Sequence, residues 1–163
     1  MENKKIQKTV VSVKSYRKLA MSTCLSESKN SQYWGFGFQS ELHGLLAKVE
    51  GVYAKEMRGD KISENDINAI KSEIGDCFWF IALGCDISGN AFENVFEANA
   101  DLYDKILSIH YFDKSRIEFK IRKETLMSWC SVIKGICKEM GINPIDCLKD
   151  NIEKLSSRKT SDK

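Results

Sequence analysis

Proline is nearly absent: Pro144 is the only one in 163 residues. A proline ring removes a backbone donor and clashes with the preceding turn, so a chain that does without it is free to be helical almost throughout. Long apolar runs are missing too. None approaches the length of a bilayer-crossing helix, and the opening segment MENKKIQK has no apolar stretch of signal-peptide type, so no membrane association and a cytoplasmic location are expected. Nor does charge of one sign dominate. The formal net charge is +2, and lysine and arginine are spread along the chain instead of gathered on one block, which argues against a nucleic-acid partner. The six cysteines (Cys24, Cys77, Cys85, Cys130, Cys137 and Cys147) contain no CxxC pair and sit in apolar stretches. That spacing speaks against a zinc site and for buried, reduced thiols. Histidine occurs only as His43 and His110, neither with a partner at catalytic spacing.

What is present suits one soluble domain: 42% hydrophobic and 29% charged residues over a length that can bury a real core. The fold class expected is all-α, a helical bundle. The apolar spacing predicts six helices. The first runs from about Ile6 to Ser26, with Val10, Val13, Tyr16, Leu19 and Ala20 on one face, and a polar stretch from Ser26 to Gln32 then breaks the pattern. The second covers roughly Phe36 to Arg58 and stops at Gly59-Asp60. Ser63 and Asp66 form a capping-box pattern that opens a third, to about Asp86. A fourth is expected from about Ala91 to Ile109, a fifth from about Lys123 to Met140, and a sixth from Asn143-Pro144 to Arg158. From His110 to Arg122 the alternation of Ile117, Phe119 and Ile121 with charges fits either a short strand or an extended connector. A weak repeat at an offset of 52 residues pairs Ile81, Cys85, Gly89 and Asn99 with Ile133, Cys137, Gly141 and Asn151. Two unrelated helical hairpins would also produce such a match.

The position of a few charges is the informative feature. Glu73 and Asp76 are three apart and therefore neighbours on one helix face. The row they start continues through Phe80 and Leu83, and the opposite flank carries Ile67, Ile70, Ile74, Phe78 and Ile81. A helix apolar on nearly every side is central to a bundle, and its two acids need partners. In the second helix Glu41, Leu45, Lys48, Val52 and Lys55 share a stripe, with Gly44 and Gly51 beside it. A divalent metal held by carboxylates, with lysines close by for phosphate oxygens, accounts for all of these charges together. An internal salt bridge from Lys48 to Glu41 or Glu73 accounts for them equally well. Trp34, Trp79 and Trp129 read as core, and Trp34 alone, just before the Gly-Phe-Gly-Phe segment, is also placed to line a pocket.

These residues resemble a known family. Gly37-Phe38-Gln39-Ser40-Glu41 is similar to the GLxxE that opens the signature of MazG-type, all-α nucleoside triphosphate pyrophosphohydrolases. Glu73 to Ala82 (EIGDCFWFIA) resembles that family's E-x-G-D-x-x-W-Y-x-x-A helix. Tyr16 to Thr23, Lys55 to Asp60 and the closing run Asn151 to Arg158 (NIEKLSSR) are similar to further family segments. The resemblance implies one MazG-like domain over residues 1–163. Residues 16–106 would hold the core motifs, and 107–163 an extra helical hairpin or a repeat. It further implies Mg2+ as cofactor, a nucleoside triphosphate cleaved to monophosphate and pyrophosphate, and a homodimer. Carried over residue by residue, Glu41, Glu73 and Asp76 are the metal ligands and catalytic groups, while Lys48, Lys55 and Asn99 bind substrate. The fourth ligand position falls on Gly44, which has no side chain to offer. A catalytically degenerate relative, binding nucleotide or a protein partner without turnover, is the alternative.

Overall fold

The computed structural model describes residues 11–98 and 120–161. Six α-helices occur among them: α1 (Val13–Met21), α2 (Ser31–Met57), α3 (Glu64–Ser88), α4 (Phe92–Glu97), α5 (Lys123–Glu139) and α6 (Pro144–Ser161). One 3-10 turn lies at Ser26–Ser28, and there is no strand among the described residues.

The third helix organises the rest. Its start is capped reciprocally: the Asp66 N–H donates to Ser63 Oγ at 3.1 Å, and the Ser63 N–H donates to Asp66 Oδ2 at 2.9 Å. Ile70, Ile74, Cys77, Phe78, Ile81 and Leu83 are fully buried along it, and α1, α2, α5 and α6 all pack against it. Each such isoleucine or phenylalanine contributes about 1.5–3 kcal/mol by leaving water, so this helix anchors the bundle. Leu45 and Val52 of α2 bury the expected stripe against it. The sixth helix approaches closely at Gly75, where a Cβ would lie 3.0 Å from Asn151 Cβ and 3.1 Å from the Cys147 carbonyl oxygen. Glycine there lets the two backbones touch, and the contact sets Asn151 beside Asp76.

Several boundaries differ from the expectation. The first helix begins at Val13 behind a Ser12 cap and ends at Met21, shorter than Ile6–Ser26; residues 1–10 lie outside the described part. The second starts at Ser31, five residues before Phe36, because Asn30 Oδ1 accepts the Tyr33 N–H at 2.8 Å. The polar stretch that looks like a break thus supplies a cap and a first turn. The fourth helix is interrupted after Glu97, where Ala98 is extended (φ −67, ψ 140), and the rest of its expected span, 99–109, lies outside the described residues. Asn99, His110 and the ambiguous segment through Phe119 lie outside the described residues.

The residues matched at an offset of 52 end their helices alike. Gly89 (φ +73) comes after α3 with the Asn90 N–H on the Cys85 carbonyl at 2.9 Å, and Gly141 (φ +65) comes after α5 with the Ile142 N–H on the Cys137 carbonyl at 2.8 Å. The helices beyond these two turns differ in length, six residues in α4 against 18 in α6. All six cysteines are free thiols and five are buried, with burial pushing Cys85 and Cys130 up to about 12.

Candidate metal centre

Two helices bring three carboxylates together. Glu41 projects from α2, Glu73 and Asp76 from α3, and each offers an oxygen within 4.8 Å of the others'. All three are half-buried. Leu45 holds α2 against α3 one turn beyond Glu41, and Ile74 and Cys77 hold α3 from its apolar side, so the acids point into the seam between the helices. Crowding has an electrostatic consequence. Burial, then the charges of Asp76 and Glu73, push the Glu41 carboxyl above its ordinary range.

Two ammonium groups answer this charge in part. Lys48 Nζ pairs with Glu73 Oε1, and Lys154 Nζ pairs with Asp76 Oδ1 while also donating to Ser72 Oγ at 3.2 Å. The salt bridge considered from spacing, Lys48 to Glu73, is therefore present together with the converging acids. Asn151, 3% exposed, joins three helices: its Nδ2 donates to Asp76 Oδ1 at 3.1 Å, and its Oδ1 accepts the Tyr16 hydroxyl at 2.9 Å. Burial pushes the Tyr16 phenol well above its ordinary pKa, which keeps it a donor. The chain from Tyr16 through Asn151 holds the Asp76 carboxylate in one orientation.

Gly44 belongs to the same surface. A Cβ placed there would stand 3.1 Å from Glu73 Oε2, so position 44 faces the acids but brings no ligand to them. Beside the acids opens a cavity of about 420 Å³, lined by Glu41, Asp76, Asn151, Tyr33, Trp79 and Arg158 among others. Trp79, expected as core, is one of its walls. Its indole N–H donates to Thr23 Oγ1 at 3.1 Å and to the Ala20 carbonyl at 3.3 Å, which fixes the ring. Trp34, read as core with a pocket wall as its alternative, is core: it is 5% exposed with its N–H on the Phe80 carbonyl at 2.9 Å. Trp129, partly buried, packs edge-on to Phe38 against the core.

Of the expected substrate-binding residues, Lys48 stands at the acids. Lys55 pairs with Asp66 Oδ1 at 2.7 Å, two helical turns (about 10 Å of rise) from Glu73. Asn99 lies outside the described residues. Asn151 and Lys154 were not assigned to the site from sequence, although their spacing of three puts them on one face of α6 and both belong to the closing motif. The missing information was that α6 crosses α3 at Gly75.

No family model, curated protein or solved structure matches this chain. The donor set by itself fits a hard divalent cation: three carboxylate oxygens, no thiolate or imidazole among them, and room for water on the cavity side.

Proposed function

We infer that this chain is a Mg2+-dependent nucleoside triphosphate pyrophosphohydrolase of the MazG type, with Glu41, Glu73 and Asp76 holding the metal. The observation that carries the reading is the meeting of these three carboxylates beside a cavity of about 420 Å³, on the residues whose motifs resemble that family. Mg2+ supplies charge neutralisation for the triphosphate and acidifies water. The chain's own residues do the remainder. Glu41 accepts the proton of the attacking water. The water oxygen bonds to phosphorus, the bridging P–O bond breaks, and pyrophosphate leaves with the bond electrons. Lys48 turns its ammonium group to phosphate oxygens as charge moves onto the leaving group, while Lys154 stays on Asp76 and adds its positive charge from there. Asn151 holds Asp76 in place, and the fixed ring of Trp79 with Tyr33 walls the space for the nucleoside.

A homodimer and a cytoplasmic location belong to the same proposal. Leu46, Tyr53 and Met57 are exposed at heptad-like spacing along α2, as a helix that meets a second copy requires, and no helix among the described residues is long and apolar enough to cross a membrane.

Gly44 favours one other reading, a chain that binds nucleotide or a protein partner without turnover, because the position facing Glu73 offers no carboxylate. Incubating the protein with each common ribo- and deoxyribonucleoside triphosphate, with and without Mg2+, separates the two. Pyrophosphate release that needs Mg2+ and disappears in Glu73→Ala establishes the hydrolase. Metal-dependent nucleotide binding without release establishes the degenerate form. Absence of both ends the proposal.

A further inference from the structure

We propose that Lys48 is a tethered cation standing in for a second metal ion: it restricts the centre to one divalent ion and passes from Glu73 to the phosphate chain when nucleotide arrives. This rests on the metal reading above and goes beyond it. Glu73 has two oxygens in two different settings. Its Oε2 faces the bare backbone of Gly44, and its Oε1 carries the ammonium of Lys48, four residues further along the same helix. Residues four apart lie on one helix face, so the lysine reaches the acid over the space that Gly44 leaves open.

Charge decides what else fits. Three carboxylates are faced by the ammonium groups of Lys48 and Lys154, and Arg158 lines the same cavity, so at most one net negative charge remains. One divalent ion turns the centre net positive, which draws in an anionic substrate. A second divalent ion would add two more positive charges beside the lysines with no new ligand to receive it, at a strong electrostatic cost in a half-buried seam. Lys154 is less able to leave, because it also donates to Ser72 and its partner oxygen takes the Asn151 amide. Lys48 has no second bond among those described and its side chain is 43% exposed, so it can swing away without disturbing the core.

Counting bound Mn2+ by electron paramagnetic resonance, with metal alone and then with inorganic triphosphate, tests this. The wild-type chain is expected to take one Mn2+. Lys48→Met removes a charge that competes at Glu73, so it binds Mn2+ on the order of tenfold more tightly, yet holds inorganic triphosphate several-fold more weakly. Lys48→Arg keeps the charge and stays near wild type in both. Lys48→Met combined with Gly44→Glu takes up a second ion. Two ions in the wild type, or no tightening in Lys48→Met, overturns the inference. If Mn2+ still binds to wild type and is lost in Glu73→Gln, the metal reading survives that result. If no variant binds Mn2+, both readings fall.

Discussion

Two lysine–carboxylate clusters tie α2 to α3, and they behave oppositely. Lys55 meets Asp66 and Lys48 meets Glu73, seven residues apart along each helix, as an antiparallel pair demands. Asp66 belongs to no cluster of three acids among the described residues. The Lys55 ammonium, then the Ser63 N–H and hydroxyl, hold its carboxyl down to about 2. It caps a helix and its charge is fully satisfied. Glu73 has two acidic neighbours, and one of them, Glu41, is pushed the other way by burial and like charge. The same two residue types therefore make a structural clasp at one level of the hairpin. Two turns away they make an electrostatically unfinished site. An acid cluster whose counter-charges fall short can take a cation, and one whose counter-charges suffice gains nothing from it.

The comparison breaks most visibly if the acids of the unfinished cluster are removed. Glu73→Gln or Asp76→Asn is expected to cost at least about a hundredfold in Mg2+-dependent turnover, read as pyrophosphate release, with the fold intact by circular dichroism. Lys55→Ala leaves turnover within about twofold; a loss as large as that of Glu73→Gln would erase the distinction between the clusters. Next in size comes the support of Asp76. Asn151→Ala leaves the buried Tyr16 hydroxyl without an acceptor and opens space against α3, so about 2–3 kcal/mol of stability should vanish in urea titration.

A smaller effect sharpens the contrast by its sign. Because the Glu41 carboxyl is raised in the fold, protonating it favours the folded state, and the metal-free chain gains stability as pH falls through that raised value. Glu41→Gln mimics this at neutral pH. It should raise the metal-free Tm by roughly 1–3 °C, after allowance for solvent screening, while abolishing metal binding. A drop in Tm would mean that Glu41 is satisfied without metal. Asp66 has the reverse sign. Its carboxyl is depressed, so its contribution is present above 3.8 and is lost as pH falls towards about 2. Acid titration of Asp66→Asn should lack that limb. An identical acid profile would show that the clasp carries no charge-dependent stability.

Much of this was readable from particular residues. Ser63 and Asp66 announce the start of α3, Gly89 and Gly141 announce two helix ends, and the burial of Ile70, Ile74, Phe78 and Ile81 follows from their spacing. Glu41, Glu73 and Asp76 stand out because charged groups on an apolar stripe need partners. Less was readable at chain breaks. Asn30 looks like part of a polar break and is a cap, and Ala98 ends α4 with no proline or glycine to announce it.

Local chemistry, acting over a turn or two, determined the helices, their caps and which acids are out of place, since capping and periodicity involve residues a few positions apart. Only packing decided that α6 would lay Asn151 and Lys154 against Asp76, 75 and 78 residues away, and that Trp79 would face a cavity while Trp34 went to the core. Those outcomes depend on how closely two backbones approach at Gly75, a distance between elements that no periodicity within either one encodes.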